Sequence, residues 1–163
     1  MSDQAQPPVS MPAKLKWNVP RGALIVALLC FLMPFVSFSC NGNKIVSLSG
    51  YQLVTGTQIQ AEDQAQKLNP EPMMVLALVL GLVALLLALK VLSNQGMVLV
   101  GVAAAIAAVC GIHYKGKTEQ DVLSHAGAVV QVNWEPAFWV LIIAYIIAAI
   151  WCLGAWKAVV KEP

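Results

Sequence analysis

Four cysteines and two histidines are the residues of this chain with the clearest capacity for chemistry. Cys110 and His113 have a spacing that could supply half of a zinc site, and Cys40 with His125 could supply the other half. Zinc sites usually combine two closely spaced ligand pairs, and the sequence contains one. It also contains no phosphate-binding loop, nucleophile elbow or pair of inward carboxylates. We therefore expect no metal, no cofactor, no catalytic residue and no enzymatic activity.

Oxidation is a second chemistry open to Cys40 and Cys110, which both lie near the outer ends of apolar segments. They could form a disulfide in an oxidising compartment if their Cα atoms came within about 6 Å, and the sequence does not fix that distance. Alternatively, Cys40 is a small residue before an Asn-Gly turn. Lipidation of Cys40 is disfavoured because Ser37 and Phe38 do not match the residues that usually precede an acylated cysteine.

The elements that would position these residues are apolar helices. Of the 163 residues, 59% are apolar and 11% are charged, whereas soluble domains have about 45–50% and about 25%. Residues 21–39, 73–92, 97–114 and 136–156 approach the length of about 20 apolar residues that a membrane-spanning helix needs. Helices satisfy their own backbone polar groups in lipid. We predict an all-α membrane protein, a bundle of four transmembrane helices, with Pro34 bending the first.

Charge placement predicts the orientation of these helices. The predicted tails (1–20 and 157–163), the inner turn (93–96) and the adjoining helix ends carry six basic and two acidic residues; the outer loops (40–72 and 115–135) carry four basic and six acidic residues. Basic residues favour the cytoplasmic side. We expect both termini in the cytoplasm, a disordered amino-terminal tail, and a multi-pass protein of the bacterial inner membrane.

Both outer loops contain patterns typical of strands. Residues 44–49, 51–54 and 128–134 are β-prone or alternate between apolar and polar side chains, while residues 57–68 contain helix formers. Strands from separate loops can form one sheet, which a lone hairpin could not sustain. We therefore predict a short helix and a small extracytoplasmic β-sheet that caps the bundle. The apolar residues of this outer cap are Val46, Leu48, Tyr51, Val130, Val132 and Trp134.

Small residues predict the faces through which the helices meet. They form stripes on the third and fourth predicted helices, whereas the second is rich in leucine and is expected to face lipid. Small side chains let membrane helices approach closely. The predicted packing residues are Gly101, Ala105, Ala108, Ala144 and Ala148.

The order of these elements resembles known architectures. The topology is similar to that of the claudins, but the chain lacks their Trp-Gly-Leu-Trp run and the two cysteines of their first outer loop. The chain also resembles small, uncharacterised bacterial inner-membrane proteins with four helices. That resemblance implies no activity. It covers Pro34-Phe35, Ser39-Cys40, Gly42, Ser49-Gly50-Tyr51, Gly56 and Pro136-Ala137-Phe138-Trp139.

Ionisable residues are missing from the middle of every predicted span, which argues against a pump or a secondary transporter. The leading hypothesis is a non-catalytic accessory or assembly subunit that contacts the lipid bilayer and either a membrane-protein partner or a second copy. The sequence contains no basic stripe, so we expect no nucleic acid as a partner. A channel or carrier-like binder of a small neutral or lipidic molecule is the alternative, and an immunity protein against a membrane toxin is a third hypothesis.

Overall fold

Five helices and five strands make up the structure, a computed structural model that describes residues 13–40, 43–61, 64–90, 94–125 and 130–160. The helices are α1 (Ala13–Cys30), α2 (Gly50–Thr55), α3 (Pro72–Lys90), α4 (Asn94–His125) and α5 (Pro136–Val160). The strands are β1 (Pro34–Cys40), β2 (Asn43–Ser49), β3 (Thr57–Ala61), β4 (Gln64–Leu68) and β5 (Val130–Trp134).

Three helical segments are long and apolar enough to cross a membrane: Pro72–Lys90, Gly96–Ser124 and Pro136–Gly154. They indicate a multi-pass integral membrane protein. The apolar part of α1, Asn18–Cys30, is shorter than these three.

The long helices pack side by side. Helix α4 lies against α3 and α5, and α1 lies against α5 and, less extensively, α3. Helix α3 turns a stripe of mostly small residues inward, which the leucine-rich sequence alone did not reveal. Four of its leucines are exposed, and the other four pack partly against the core. The buried residues of α3 are Met74, Ala77, Gly81, Ala84 and Ala88.

A three-stranded antiparallel sheet continues from the ends of α1 and the start of α5, with β1 between β2 and β5. In β1, Val36 is opposite Leu48 and Trp134, and Phe38 is opposite Val46 and Val132. Residues directly opposite each other share a face, so these two rows form one apolar face. The predicted sheet built from both loops is confirmed, although its central strand was not among the predicted ones.

The prediction of one helix over residues 21–39 is wrong. Helix α1 ends at Cys30, and three hydrogen bonds to the carbonyl three residues earlier, from the amides of residues 31–33, tighten its last turn. Pro34 has no N–H to continue the helix and disfavours helical geometry in the preceding residue. The next residues, Phe35, Val36 and Phe38, suit a strand.

Two predictions for the first loop are also wrong. Residues 51–54 belong to α2, which starts with a capping box: Ser49 Oγ accepts from the Gln52 amide at 3.2 Å, and Gln52 Oε1 accepts from the Ser49 amide at 2.9 Å. Residues 57–68 contain β3 and β4, which pair with each other, rather than a helix. Gly56, with φ of 77°, ends α2, and β-branched Thr57 and Ile59 favour a strand after it.

The other predicted boundaries shift because helices run further. Helix α4 continues to His125, where a loop was predicted from residue 115; a Lys115–Glu119 ion pair of 2.7 Å supports the added turns. Helix α1 begins at Ala13, inside the predicted disordered tail, and α5 ends at Val160. Helix α4 begins at Asn94, inside the predicted inner turn of residues 93–96. The predictions for residues 1–12, 41–42, 62–63, 91–93, 126–129 and 161–163 fall outside the described residues.

Candidate interaction surface at the sheet–helix junction

Aromatic side chains concentrate where the sheet meets α4 and α5. The ring of Trp134, the last residue of β5, lies 4.6 Å from that of Phe138 and 5.9 Å from that of Tyr114, measured between centroids. Phe138 is fully buried and its ring also contacts Phe35 of β1. Aromatic pairs at these separations stabilise beyond the area they bury. The sheet is thus fixed to both helices at one point.

An ionic contact holds the indole of Trp134 in place. Glu119 Oε1 accepts a hydrogen bond from Trp134 Nε1 at 3.0 Å and one from Lys115 Nζ at 2.7 Å. Lys115 Nζ also lies 5.9 Å from the centroid of Trp134 and 5.8 Å from that of Trp139, within cation–π range. The predicted span ends at residue 114, but α4 continues as a helix to His125. This added part of α4 carries Glu119 and brings it to the Trp134 indole.

A second contact ties β2 and β1 to Glu135, the residue between β5 and α5. Glu135 accepts a hydrogen bond from Lys44 Nζ at 2.8 Å, and its amide donates to the Phe35 carbonyl at 2.9 Å. The Lys44 ammonium first, and the Ser37 hydroxyl second, hold the pKa of the Glu135 carboxyl below its usual range. Across the same face, Asn133 Nδ2 donates to Ser39 Oγ at 3.0 Å. These polar groups stabilise the face of the sheet opposite to the apolar one.

A third contact joins α4 to the start of α3. Lys117 Nζ lies 2.9 Å from Glu71 Oε1, and the Glu71 amide donates to the Leu53 carbonyl of α2 at 2.8 Å. The three contacts together hold the sheet, α2 and the end of α4 as one unit. Within the described ranges, no group of three His, Cys, Asp or Glu residues could hold a metal.

The predicted cap residues lie in β2, in β5 and in α2. Leu48 is buried, and Val46, Val130, Val132 and Trp134 are partly buried in the three-stranded sheet. Tyr51 is exposed and belongs to α2, so its expected place in a strand is wrong. The Ser49-x-x-Gln52 spacing was the signal for that helix.

Cys40 and Cys110 are not brought together, and both are free thiols. Cys40 pairs with Asn43 and Val130 at the far end of the sheet. It lies four residues along β1 from Val36, about 13 Å at the rise of a strand. Cys110 is buried within α4, one turn before the aromatic contacts. The disulfide that the sequence left open does not form, because the chain leaves α1 at Cys30 and Cys40 lies at the far end of a strand.

The predicted packing residues lie between helices. Gly101, Ala108, Ala144 and Ala148 are buried and Ala105 is partly buried. A β-carbon at Gly101 would lie 3.1 Å from the β-carbon of Cys152, so α4 and α5 approach closely there.

Sequence reasoning missed the contact at the centre of the helices. Tyr145 of α5 is fully buried, and its hydroxyl donates to the Ala77 carbonyl of α3 at 3.1 Å. A β-carbon at Gly81 would overlap this hydroxyl. The lone glycine of α3 and the lone tyrosine of α5 were the available signal, but a sequence does not show which positions face each other.

Comparison with known proteins assigns no family, because no protein-family model and no curated protein sequence matches the chain.

Proposed function

We propose that this protein is a non-catalytic accessory or assembly subunit of a membrane complex, and that its three-stranded sheet binds a partner protein. The observation that carries the proposal is the anchoring of the sheet. Aromatic packing, a hydrogen bond and an ion pair fix it to α4 and to the start of α5, while β2 remains an edge strand with Lys44, Ile45 and Ser47 exposed. A sheet held this firmly presents its edge in one orientation.

The edge of β2 suits the addition of an extended segment from another chain. Edge strands carry unpaired backbone groups that a partner strand can engage, and this is a recurring mode of peptide recognition. The opposite edge strand, β5, lies against α4. We therefore infer that the partner supplies an extended segment to β2. A second copy of this chain is one such partner, and the experiment below distinguishes it by mass.

The proposed setting is the bacterial inner membrane, with α1 and the residues that follow it as the fourth crossing segment and both termini in the cytoplasm. The charge difference between the two sides supports this orientation. The sheet and the end of α4 would then lie on the extracytoplasmic side.

Passage of a neutral or lipidic molecule between the helices is the weaker candidate. Tyr145 bridges α5 to α3, and each of these helices packs against α4. A fully buried tyrosine ring fills the interior that such a molecule would need.

Affinity purification from mild detergent tests the proposal. The tagged chain should retain a partner in stoichiometric amount, identified by mass spectrometry. Ile45→Lys adds a charge to the β2 edge and should reduce recovery of the partner about tenfold, corresponding to ~1.4 kcal/mol. The matched control is Leu123→Lys, which changes an apolar residue on α4 that is more exposed, at 73% against 57% for Ile45.

Two results would contradict the proposal. A chain that remains monomeric without a partner across several detergents and in nanodiscs would remove its basis. Equal losses for Ile45→Lys and Leu123→Lys would show that the β2 edge has no special role.

A further inference from the structure

We propose that α1 ends inside the bilayer. The corner that follows it, formed by residues 31–35 and α2, then lies at acyl-chain depth in the leaflet on the side of the sheet. Leu32, Met33 and Tyr51 contact lipid there. This proposal depends on the membrane location of the helices and does not depend on a partner protein.

The inference depends on how far α1 and α3 each extend from the contact between Arg21 and Ala88. Arg21 Nε donates to the Ala88 carbonyl at 2.8 Å, which places the Arg21 guanidinium beside the last turn of α3. From that level, α3 extends back to Pro72, about 24 Å, whereas α1 extends to Cys30, about 14 Å. Helix α1 therefore stops about 10 Å short of the level at which α3 begins.

The space beyond the end of α1 is occupied by α2 and the start of β1. Helix α2 packs against α3, and its Leu53 carbonyl accepts from the Glu71 amide just before α3. The Phe35 ring lies against Gly50, where a β-carbon would come within 2.6 Å of a ring atom. These contacts place the corner beside the first turns of α3, a helix that is itself apolar enough to span.

The backbone of the corner is compatible with an apolar medium. The Tyr51 amide donates to the Phe31 carbonyl at 2.7 Å, and the Gly50 amide donates to the Met33 carbonyl at 3.3 Å. The amides of residues 31–33 donate hydrogen bonds to the carbonyls of residues 28–30. The end of α1 and the start of α2 thus satisfy each other, which non-helical backbone requires at membrane depth.

The side chains of the corner continue the lipid-facing surface. Leu32, Met33 and Tyr51 are 69%, 58% and 57% exposed. They follow the exposed Ile25 and Leu29 of α1, at spacings that keep α1 apolar on one side up to its end. Phe31 and Phe35 point inward and are buried. Acyl chains are the occupant that this depth and this continuity favour.

Spin-label accessibility in nanodiscs tests the depth. The four native cysteines are replaced by alanine, and a nitroxide is attached at Leu32→Cys, at Leu82→Cys in α3 and at Leu123→Cys in α4. The measured quantity is the ratio of collision with oxygen, which enters lipid, to collision with a water-soluble nickel chelate. We expect the ratio at residue 32 to approach that at residue 82 and to exceed that at residue 123 several-fold.

A second measurement keeps the native cysteines. A photo-crosslinking amino acid at residue 32 should yield lipid adducts in the mass spectrum, and the same group at residue 123 should not. A ratio at residue 32 equal to that at residue 123 would overturn the proposal. If the cysteine-free chain does not fold, absence of lipid adducts at residue 32 in the native-cysteine chain would overturn it equally. Neither result bears on partner recovery by the parent chain.

Discussion

Replacing Gly81 by alanine should destabilise the helices through one contact. The new β-carbon would overlap the Tyr145 hydroxyl and lie 3.0 Å from Cζ of the same ring, so the ring must move and its 3.1 Å hydrogen bond to the Ala77 carbonyl is lost. Overpacking costs about 1–3 kcal/mol, and the hydrogen bond about 0.6 kcal/mol. The gain in helix propensity offsets up to about 1 kcal/mol.

The expected net loss is about 0.5 to 2.5 kcal/mol in the free energy of unfolding, measured by reversible unfolding in mixed SDS micelles. Tyr145→Phe removes the overlapping hydroxyl. Gly81→Ala should therefore cost about 1 kcal/mol less in the Tyr145→Phe background than in the parent chain. The control is Gly154→Ala, because no atom lies within 4 Å of the added β-carbon there.

Equal costs of Gly81→Ala in the two backgrounds would refute this reasoning, since the cost would not then depend on the hydroxyl. So would a loss at Gly154→Ala as large as that at Gly81→Ala, which would show a general sensitivity of the helices to alanine.

Three further substitutions probe the anchoring of the sheet. Lys44 lowers the pKa of the Glu135 carboxyl in the folded chain. The Lys44–Glu135 pair should therefore stabilise the fold above about pH 4.3 and lose this effect as the pH falls through the folded-state pKa. Lys44→Met should flatten this acid dependence of the melting temperature. Gly50→Ala places a β-carbon 2.9 Å from the Phe31 Cα of the corner and should cost about 1–3 kcal/mol, measured by SDS unfolding. An unchanged stability would count against the packed corner. Trp134→Phe removes the indole donor to Glu119 and should cost about 1.5 kcal/mol, whereas Trp139→Phe, which removes no such donor among the contacts described, should cost less.

The apolar segments could be located from the sequence because lipid demands long uncharged runs. Residues 73–92 and 136–156 correspond closely to α3 and to most of α5. The prediction of one helix from residue 21 to residue 39 is wrong because hydropathy does not distinguish a helix from a buried strand. The chain stays apolar through Phe38, but Pro34 changes the backbone from one to the other.

The contacts at the junction could be predicted only in part. Val132 and Trp134 were assigned to a strand from their alternation, and they lie in β5. Their partners in β1 are Phe38 and Val36. The sequence predicts a helix at these two residues, so it does not predict the pairing. Glu119 was assigned to a loop, so its hydrogen bond to the Trp134 indole could not be foreseen. Long-range pairs of this kind depend on tertiary geometry that local patterns do not encode.

The most direct test of the account is the side of the membrane that the sheet occupies relative to the amino terminus. A membrane-impermeant maleimide would be applied to intact cells and to inverted vesicles carrying Ser47→Cys in β2 or Asn18→Cys in α1, both at exposed positions. The parent chain controls for its native thiols. We expect the maleimide to label Ser47→Cys in intact cells, and to label Asn18→Cys only in inverted vesicles. Labelling of both positions from the same side would contradict it.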